Sequence, residues 1–337
     1  MPNASISLAR RRSAQLAAQS IKAKPEAVVT PPHVLKARNN FAYFCELMGK
    51  KPAKHMREWH KQILTAESNE HLLDIAGPNT CLLSPRGSAK STVIGLLIAW
   101  LIGRHAEAGK LLRTLYVSYN VDVARNKSAA IKNLISNKEY QEVFPKVRLS
   151  KHRTSDELWS IDFEHAGVDI RGEDAFTVAC AGLKGTITSK RSSLIIVDDA
   201  IKSADDIKNK DIRQAMEDNW NSVIVPTMFE GGRAICLGTR FRHDDIHKST
   251  FIPSNDWVQI VQSAITVDKE GDEISYWPEM WSLDYLKDRR RQAPVAFSFQ
   301  YQNQIIQTSE LSLSPDLIVK GNISTDFERL GVGVDLS

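Results

Sequence analysis

The sequence predicts an α/β fold, a mainly parallel β-sheet with helices on both faces. Two observations carry that prediction. Short apolar runs recur along the chain, and most are followed by a turn and a segment of helical periodicity. Strands that alternate with helices need crossover connections, and crossovers produce parallel strands covered on both sides. The second observation is bulk: 337 residues, 42% hydrophobic and 25% charged, suffice for a sizeable core, as one large domain with appendages or two modest ones.

Residues 1–32 are polar, basic and rich in Ala and Ser, and are expected to form a flexible arm ended by Thr30-Pro31-Pro32. Residues 34–48 and 54–68 read as helices, the second with Trp59, Ile63 and Leu64 inward. Strands are expected at 80–83, 111–118, 158–163, 169–171, 176–181, 193–197, 233–237 and 257–264, and helices at 91–104, 121–134, 206–222 and 283–292. Residues 33–308 are taken as one domain. Residues 309–337 form a Ser/Pro linker and a last apolar strand that carries Asp335.

The formal net charge of +4 marks no partner by itself; the basic clusters at 10–12, 50–54, 146–153 and 289–291 are local. Clusters such as 146–153 and 289–291 are usually just solvated faces. The four cysteines, Cys45, Cys81, Cys180 and Cys236, form no CxxC pair and read as buried thiols of a reducing compartment. The longest apolar run, 93–102, is too short to span a bilayer, and no signal peptide is expected.

Three segments carry chemistry. In Cys81-Leu-Leu-Ser-Pro-Arg-Gly-Ser-Ala-Lys-Ser-Thr92 a buried strand runs through a tight turn into a helix. This is the context of a phosphate-binding loop. The backbone of Gly87, Ser88, Ala89, Lys90 and Ser91, with Thr92 following, would face phosphates at the positive end of the helix. Lys90 would neutralise β- and γ-phosphates and the Ser91 hydroxyl would bind Mg²⁺. Leu194-Ile-Ile-Val-Asp198-Asp199 ends a second strand in two carboxylates. Asp198 would hold the metal and Asp199 would polarise the attacking water. Ile235-Cys-Leu-Gly-Thr239-Arg240 ends a third strand in a hydroxyl that could sense the γ-phosphate. A capped turn, solvated acids and a strand-end turn would explain each one alone; the ordered set of three is far more specific.

These segments, with Gly182-Leu-Lys-Gly-Thr-Ile-Thr-Ser-Lys-Arg191 and Gly238-Thr-Arg-Phe-Arg-His-Asp-Asp245, resemble the ATPase motifs of tailed-phage terminase large subunits over about residues 34–310. The resemblance implies a P-loop NTPase of the ASCE type, with ATP and Mg²⁺ as cofactors. It implies a motor that drives double-stranded DNA into a procapsid as a ring of subunits, with the portal protein and the small terminase subunit as partners and no membrane, in the host cytoplasm. Asp199 stands where the family often has glutamate, and Lys184 where it often has arginine. An arginine is expected on the γ-phosphate, and both Arg86 and Arg191 are candidates. The family's adenine-reading position points to Gln62, with Trp59 as the nearby aromatic. The tail 330–337 resembles the first strand of the family's RNase H-like nuclease, in which Asp335 would bind metal. The chain is expected to stop as that domain begins and to cut no DNA. His243-Asp244-Asp245 is read as structural rather than metal-binding. In a DNA motor, one of the two basic clusters 146–153 and 289–291 would line the channel and touch phosphates. Two rivals remain: another P-loop nucleic-acid ATPase such as a helicase, and a non-enzymatic scaffold.

Overall fold

A computed structural model describes residues 30–64, 78–185, 190–251 and 257–304. Most of the expected arm, the end of the 54–68 helix, and the linker and strand of 309–337 with Asp335 lie outside these residues.

Two helices open the described chain, α1 (Pro32–Asn39) and α2 (Phe41–Leu47), where the sequence suggested one. Asn40 separates them: it is extended (φ −132°, ψ 105°), and its side chain accepts a hydrogen bond from the Tyr43 amide to cap α2. After α3 (Lys54–Leu64) come β1 (Asn79–Leu83), α4 (Lys90–Glu107), β2 (Thr114–Ser118), α5 (Val121–Ile135) and α6 (Lys138–Val143). An edge hairpin of β3 (Leu149–Thr154) and β4 (Leu158–Ile161) follows, then the short α7 (Phe163–Ala166). Next are β5 (Val178–Gly182), β6 (Ser192–Asp198), α8 (Lys210–Asn219) with a wider turn through Ile224, and β7 (Met228–Gly238). The last elements are β8 (Trp257–Val261), the small hairpin β9 (Ile265–Val267) and β10 (Glu273–Ser275), and helices α9 (Leu283–Gln292) and α10 (Pro294–Gln300).

Eight strands form one sheet in the order β3-β4-β5-β2-β6-β7-β1-β8. In that order the strands from β5 to β8 pair in parallel, and β4 alone runs against the others, antiparallel to both β3 and β5. The expected mainly parallel sheet is therefore present, with an antiparallel margin. Strand β3 was not legible in the sequence. Its burial alternates weakly and its residues are basic, as suits an exposed edge. Residues 169–171 form no strand: Arg171 folds back on Asp169 in a local ion pair.

Residues on the two faces of each strand feed two separate cores. Tyr116, Leu194, Ile196, Ile235 and Leu237 pack under α4 and α5. Leu115, Val117, Ile195, Val197 and Cys236 pack under the α8 side with Trp220 and Phe251. Helix α4 is apolar all round because it is buried all round, by α1, α2 and α5 as well as the sheet. Trp100 on α4 donates to the Ala37 carbonyl at 2.9 Å, which ties α1 to this layer. A third, small core (Ala264, Ile265, Tyr276, Leu286, Phe297) holds the β9–β10 hairpin to α9 and α10. All four cysteines are buried and free. Among the described residues, no helix is long and apolar enough to cross a membrane.

Candidate functional site

Strand β1 ends at Leu83, and the chain turns through Ser84 to Ala89 into α4. Gly87 (φ 75°) and Ala89 (φ 63°) both adopt the left-handed conformation. Left-handed residues spaced through such a turn point successive amides into one concavity, which suits an anion. Gly87 cannot be another residue for a second reason: a Cβ there would lie 2.6 Å from the Trp281 ring, whose indole nitrogen donates to the Gly87 carbonyl at 3.4 Å. Ala89 carries the strain that a glycine would avoid. The loop is stitched to the third strand at its start, where the Ser84 amide donates to the Gly238 carbonyl at 3.1 Å. The Ser84 and Ser88 hydroxyls in this loop are buried without a hydrogen-bond partner.

The sheet order brings the other motifs to this loop. Strand β7 lies between β1 and β6, so Thr239 and the two aspartates arrive at one end of three neighbouring parallel strands. Lys90 is 6% exposed, and its Nζ lies 3.5 Å from Asp199 Oδ1 and 3.5 Å from Thr239 Oγ1. The Ser91 hydroxyl donates to Asp198 Oδ1 at 3.0 Å. Successive strand residues face opposite ways, so two adjacent carboxylates would normally diverge. Asp199 breaks the alternation with φ 48°, and its carboxylate turns to the Lys90 side. Asp198 is buried at 2% exposure. Burial first, then the Asp199 charge, raises its pKa; hydrogen bonds from Tyr116 and Ser91 and the charge of Lys90 oppose that rise. Lys90, Ser91, Asp198, Asp199 and Thr239 thus form one oxygen-rich cluster with a single buried cation. An all-oxygen set of hydroxyl and carboxylate beside an anion nest fits Mg²⁺ bound with a polyphosphate.

The loop after Thr239 is held rigid by one residue. Asp245 is fully buried, pairs with Arg240 Nε at 3.0 Å and accepts from the Phe241 and Arg242 amides. Burial opposes its charge, yet His247, Arg240 and the Phe241 amide hold its carboxyl well below the usual range. Asp244 turns away to Arg213 at 2.6 Å and to Arg242, so the two acids of this segment serve different partners. His247 packs on Gly238, where a Cβ would meet its Nε2 at 2.1 Å.

Other expected residues stand apart. Arg191 precedes β6 at the end opposite Asp198. Seven residue rises of about 3.3 Å put roughly 23 Å between them, so Arg191 does not reach this chain's own phosphate loop. Arg86 is in the loop with an exposed side chain, and its amide donates to the Gln300 carbonyl at 3.1 Å. Thr92 is exposed on the first turn of α4. Trp59 is 1% exposed, a core residue against His55, and offers no free face to a base; Gln62 is on the exposed side of α3. Some of the basic residues are in ion pairs: Arg290 and the neighbouring Lys287 pair with Glu273, Arg291 with Asp288, and Arg153 with Asp174.

Several neighbours of the site were not legible. His55, boxed by Trp59, Tyr276 and Trp277, lies 3.4 Å from the Ser88 carbonyl. Burial lowers its pKa. Trp281 over Gly87 has no sequence signal at all. Tyr116 had one, because a tyrosine in an apolar strand must find a partner for its hydroxyl.

No family model matches the sequence, and no curated protein matches it. Solved structures do. A variant of the ATPase domain of the Thermus phage P74-26 large terminase aligns with a TM-score of 0.51 and 16% identity, over 78% of this chain and 98% of that one. The bacteriophage HK97 large terminase gives 0.43 and 16%, over 83% of this chain and 57% of that one. Saccharomyces cerevisiae Dbp5, solved with RNA and ADP BeF3, gives 0.40 and 10%, over 71% and 52%. The chain spans little more than half the length of the last two. The first of these likenesses is one of fold: the sheet and its helices follow the fold of that phage large terminase ATPase domain.

Proposed function

We propose that this chain hydrolyses ATP as the motor part of a terminase large subunit and that its work is to drive double-stranded DNA into a procapsid. The observation that carries the reading is the meeting of Lys90, at the start of α4, with Asp199 and Thr239, just past the ends of β6 and β7, over a loop with two left-handed residues. Lys90 binds and neutralises the β- and γ-phosphates. The amides of residues 87–91 orient the phosphate chain. Ser91 and Asp198 hold Mg²⁺, which supplies charge neutralisation on the phosphoryl oxygens. Asp199 takes or orients the proton of the attacking water, and Thr239 reads the γ-phosphate beside it. Asp199 is suited to this because its side chain is 45% exposed and open to water, whereas Asp198 is enclosed. Arg86, inside the loop, is the arginine that would contact the γ-phosphate of this chain's own nucleotide; Arg191 acts, in this reading, only on a neighbouring subunit's nucleotide. Gln62 reads the adenine edge.

The partners follow from the same reading: double-stranded DNA, the portal protein, the small subunit and further copies of this chain in a ring, in the host cytoplasm. The test is ATP hydrolysis by the purified chain with and without double-stranded DNA. Turnover that DNA stimulates, without strand separation, supports a translocase. Unwinding of a forked duplex would favour a helicase, and absence of nucleotide binding would leave only a scaffold. Asp335 and the nuclease reading lie outside the described residues and rest on resemblance alone.

A further inference from the structure

Asp198 has two carboxylate oxygens, and each has one protein hydroxyl. Oδ1 accepts from Ser91 Oγ at 3.0 Å, and Oδ2 accepts from the Tyr116 hydroxyl at 2.7 Å. The two donors are unequal. Ser91 is partly exposed at the start of α4 and is the hydroxyl expected to leave for the metal. Tyr116 is fully buried in the centre of β2, and 2.7 Å is the usual length of a strong O–H···O bond. Its Cα is level with Ile196, two residues before Asp198 on the adjacent parallel strand, and both side chains lie on the α4 face. The phenol is long enough to span that offset, as a serine or threonine is not. No other hydrogen bond from the tyrosine oxygen competes for its proton among the described residues.

We propose that Tyr116 is a positioning residue: its hydroxyl holds the Asp198 carboxylate in the orientation that receives Mg²⁺, and goes on holding it after Ser91 has turned away. This rests on the phosphate-loop reading above. The physical point is that a carboxylate at a strand end can rotate about its side-chain bonds. A metal ligand whose outer hydrogen bond is removed pays for reordering at each binding event. Outer partners of this kind typically contribute about 10- to 100-fold in metal affinity or activity. Neither the phosphate loop nor Lys90 depends on the tyrosine, so nucleotide binding without metal is spared. A merely structural tyrosine would behave differently, weakening binding with and without metal alike.

The experiment is a titration of the chain with a fluorescent ATP analogue, in EDTA and over a series of Mg²⁺ concentrations. The proteins are the parent, Tyr116→Phe and Lys90→Ala. Phenylalanine keeps the ring and removes only the oxygen. The expected result is that Tyr116→Phe binds the analogue in EDTA as the parent does but needs about 10- to 100-fold more Mg²⁺ for half-maximal enhancement. Parent-like Mg²⁺ dependence in Tyr116→Phe, with Lys90→Ala impaired, overturns the role of Tyr116 and leaves the phosphate loop standing. Equal loss in EDTA and in Mg²⁺ for Tyr116→Phe also overturns it, in favour of a packing role. Failure of the parent to bind, or binding by Lys90→Ala at parent strength, overturns the phosphate-loop reading and this inference with it.

Discussion

Replacing Lys90 by alanine should abolish nucleotide binding and turnover while leaving the fold almost untouched, and the structure allows both halves to be estimated. The ammonium lies 3.5 Å from Asp199 and from Thr239. Those distances are long beside the roughly 2.7–2.9 Å of a tight N⁺–H···O⁻ bond. At an effective dielectric constant near 20, the Asp199 contact gives a gross attraction of about 5 kcal/mol. Two terms cancel most of it. Burying an ammonium costs several kcal/mol in lost hydration, and the Asp199 side chain is 45% exposed, so water screens the pair. The net loss should be within about 1 kcal/mol, which for a chain of 337 residues lowers Tm by roughly 1–2 °C. Binding behaves differently, because the phosphates bring charge to donors that are only loosely used in the free protein. Two charge-assisted hydrogen bonds contribute about 3–6 kcal/mol, so the dissociation constant should rise by roughly 10²–10⁴-fold. Calorimetric titration of ATP and a melting curve on the same preparation read the two quantities. Parent-like affinity would show that the loop holds no phosphates. A collapse of Tm would show that Lys90 belongs to the core rather than to the ligand.

Asp199→Asn should keep nucleotide binding and lose about 10²–10⁴ in turnover as a general base does, while Asp198→Asn should also weaken Mg²⁺-dependent binding; equal binding defects in both would erase the division of labour. Gly238→Ala drives a methyl to within 2.1 Å of His247, itself 1% exposed. An overpacking cost of about 1–3 kcal/mol should lower Tm and slow turnover through Thr239, and an unchanged Tm would mean that His247 is free to move. His60 is buried with both ring nitrogens unpartnered, and burial, with the Arg57 charge second, lowers its pKa from 6.5 to about 4. The unfolded chain takes up a proton near 6.5 and the folded one does not, so this stability is fully present above 6.5 and is lost as pH falls towards 4. The total is on the order of 3 kcal/mol. His60→Leu should flatten the fall of Tm between those values, and a parent-like slope would assign the acid loss to other groups.

Much of the site was legible because its chemistry is local. A buried strand that breaks at Ser84 into a Gly/Ser turn and restarts as an apolar helix at Lys90 is readable from neighbours in sequence. So are strands that end at Asp198 and at Thr239. The sequence also determined the mainly parallel sheet, since helices between the central strands permit little else. It misread elements whose signals were weak or interrupted: the break at Asn40, where a capping side chain outcompetes a continuous helix, and the edge strand at 149–154, which has no apolar face to announce it.

What only the tertiary structure decided was proximity. Ser91 and Asp198 are 107 residues apart and Lys90 and Thr239 are 149 apart, and the hydrogen bonds between them exist because β7 lies between β1 and β6. Strand order follows from which helices cover which face, and no local pattern encodes it. The length of β6 places Arg191 at the end of that strand opposite Asp198. Packing buried Trp59 and brought Trp281 onto Gly87 across 194 positions. It set the Tyr116 hydroxyl against Asp198, a contact between side chains 82 residues apart. Residue type and strand ends belong to short-range pattern; the meeting of those ends depends on long-range packing, in which each contact is selected by all the others.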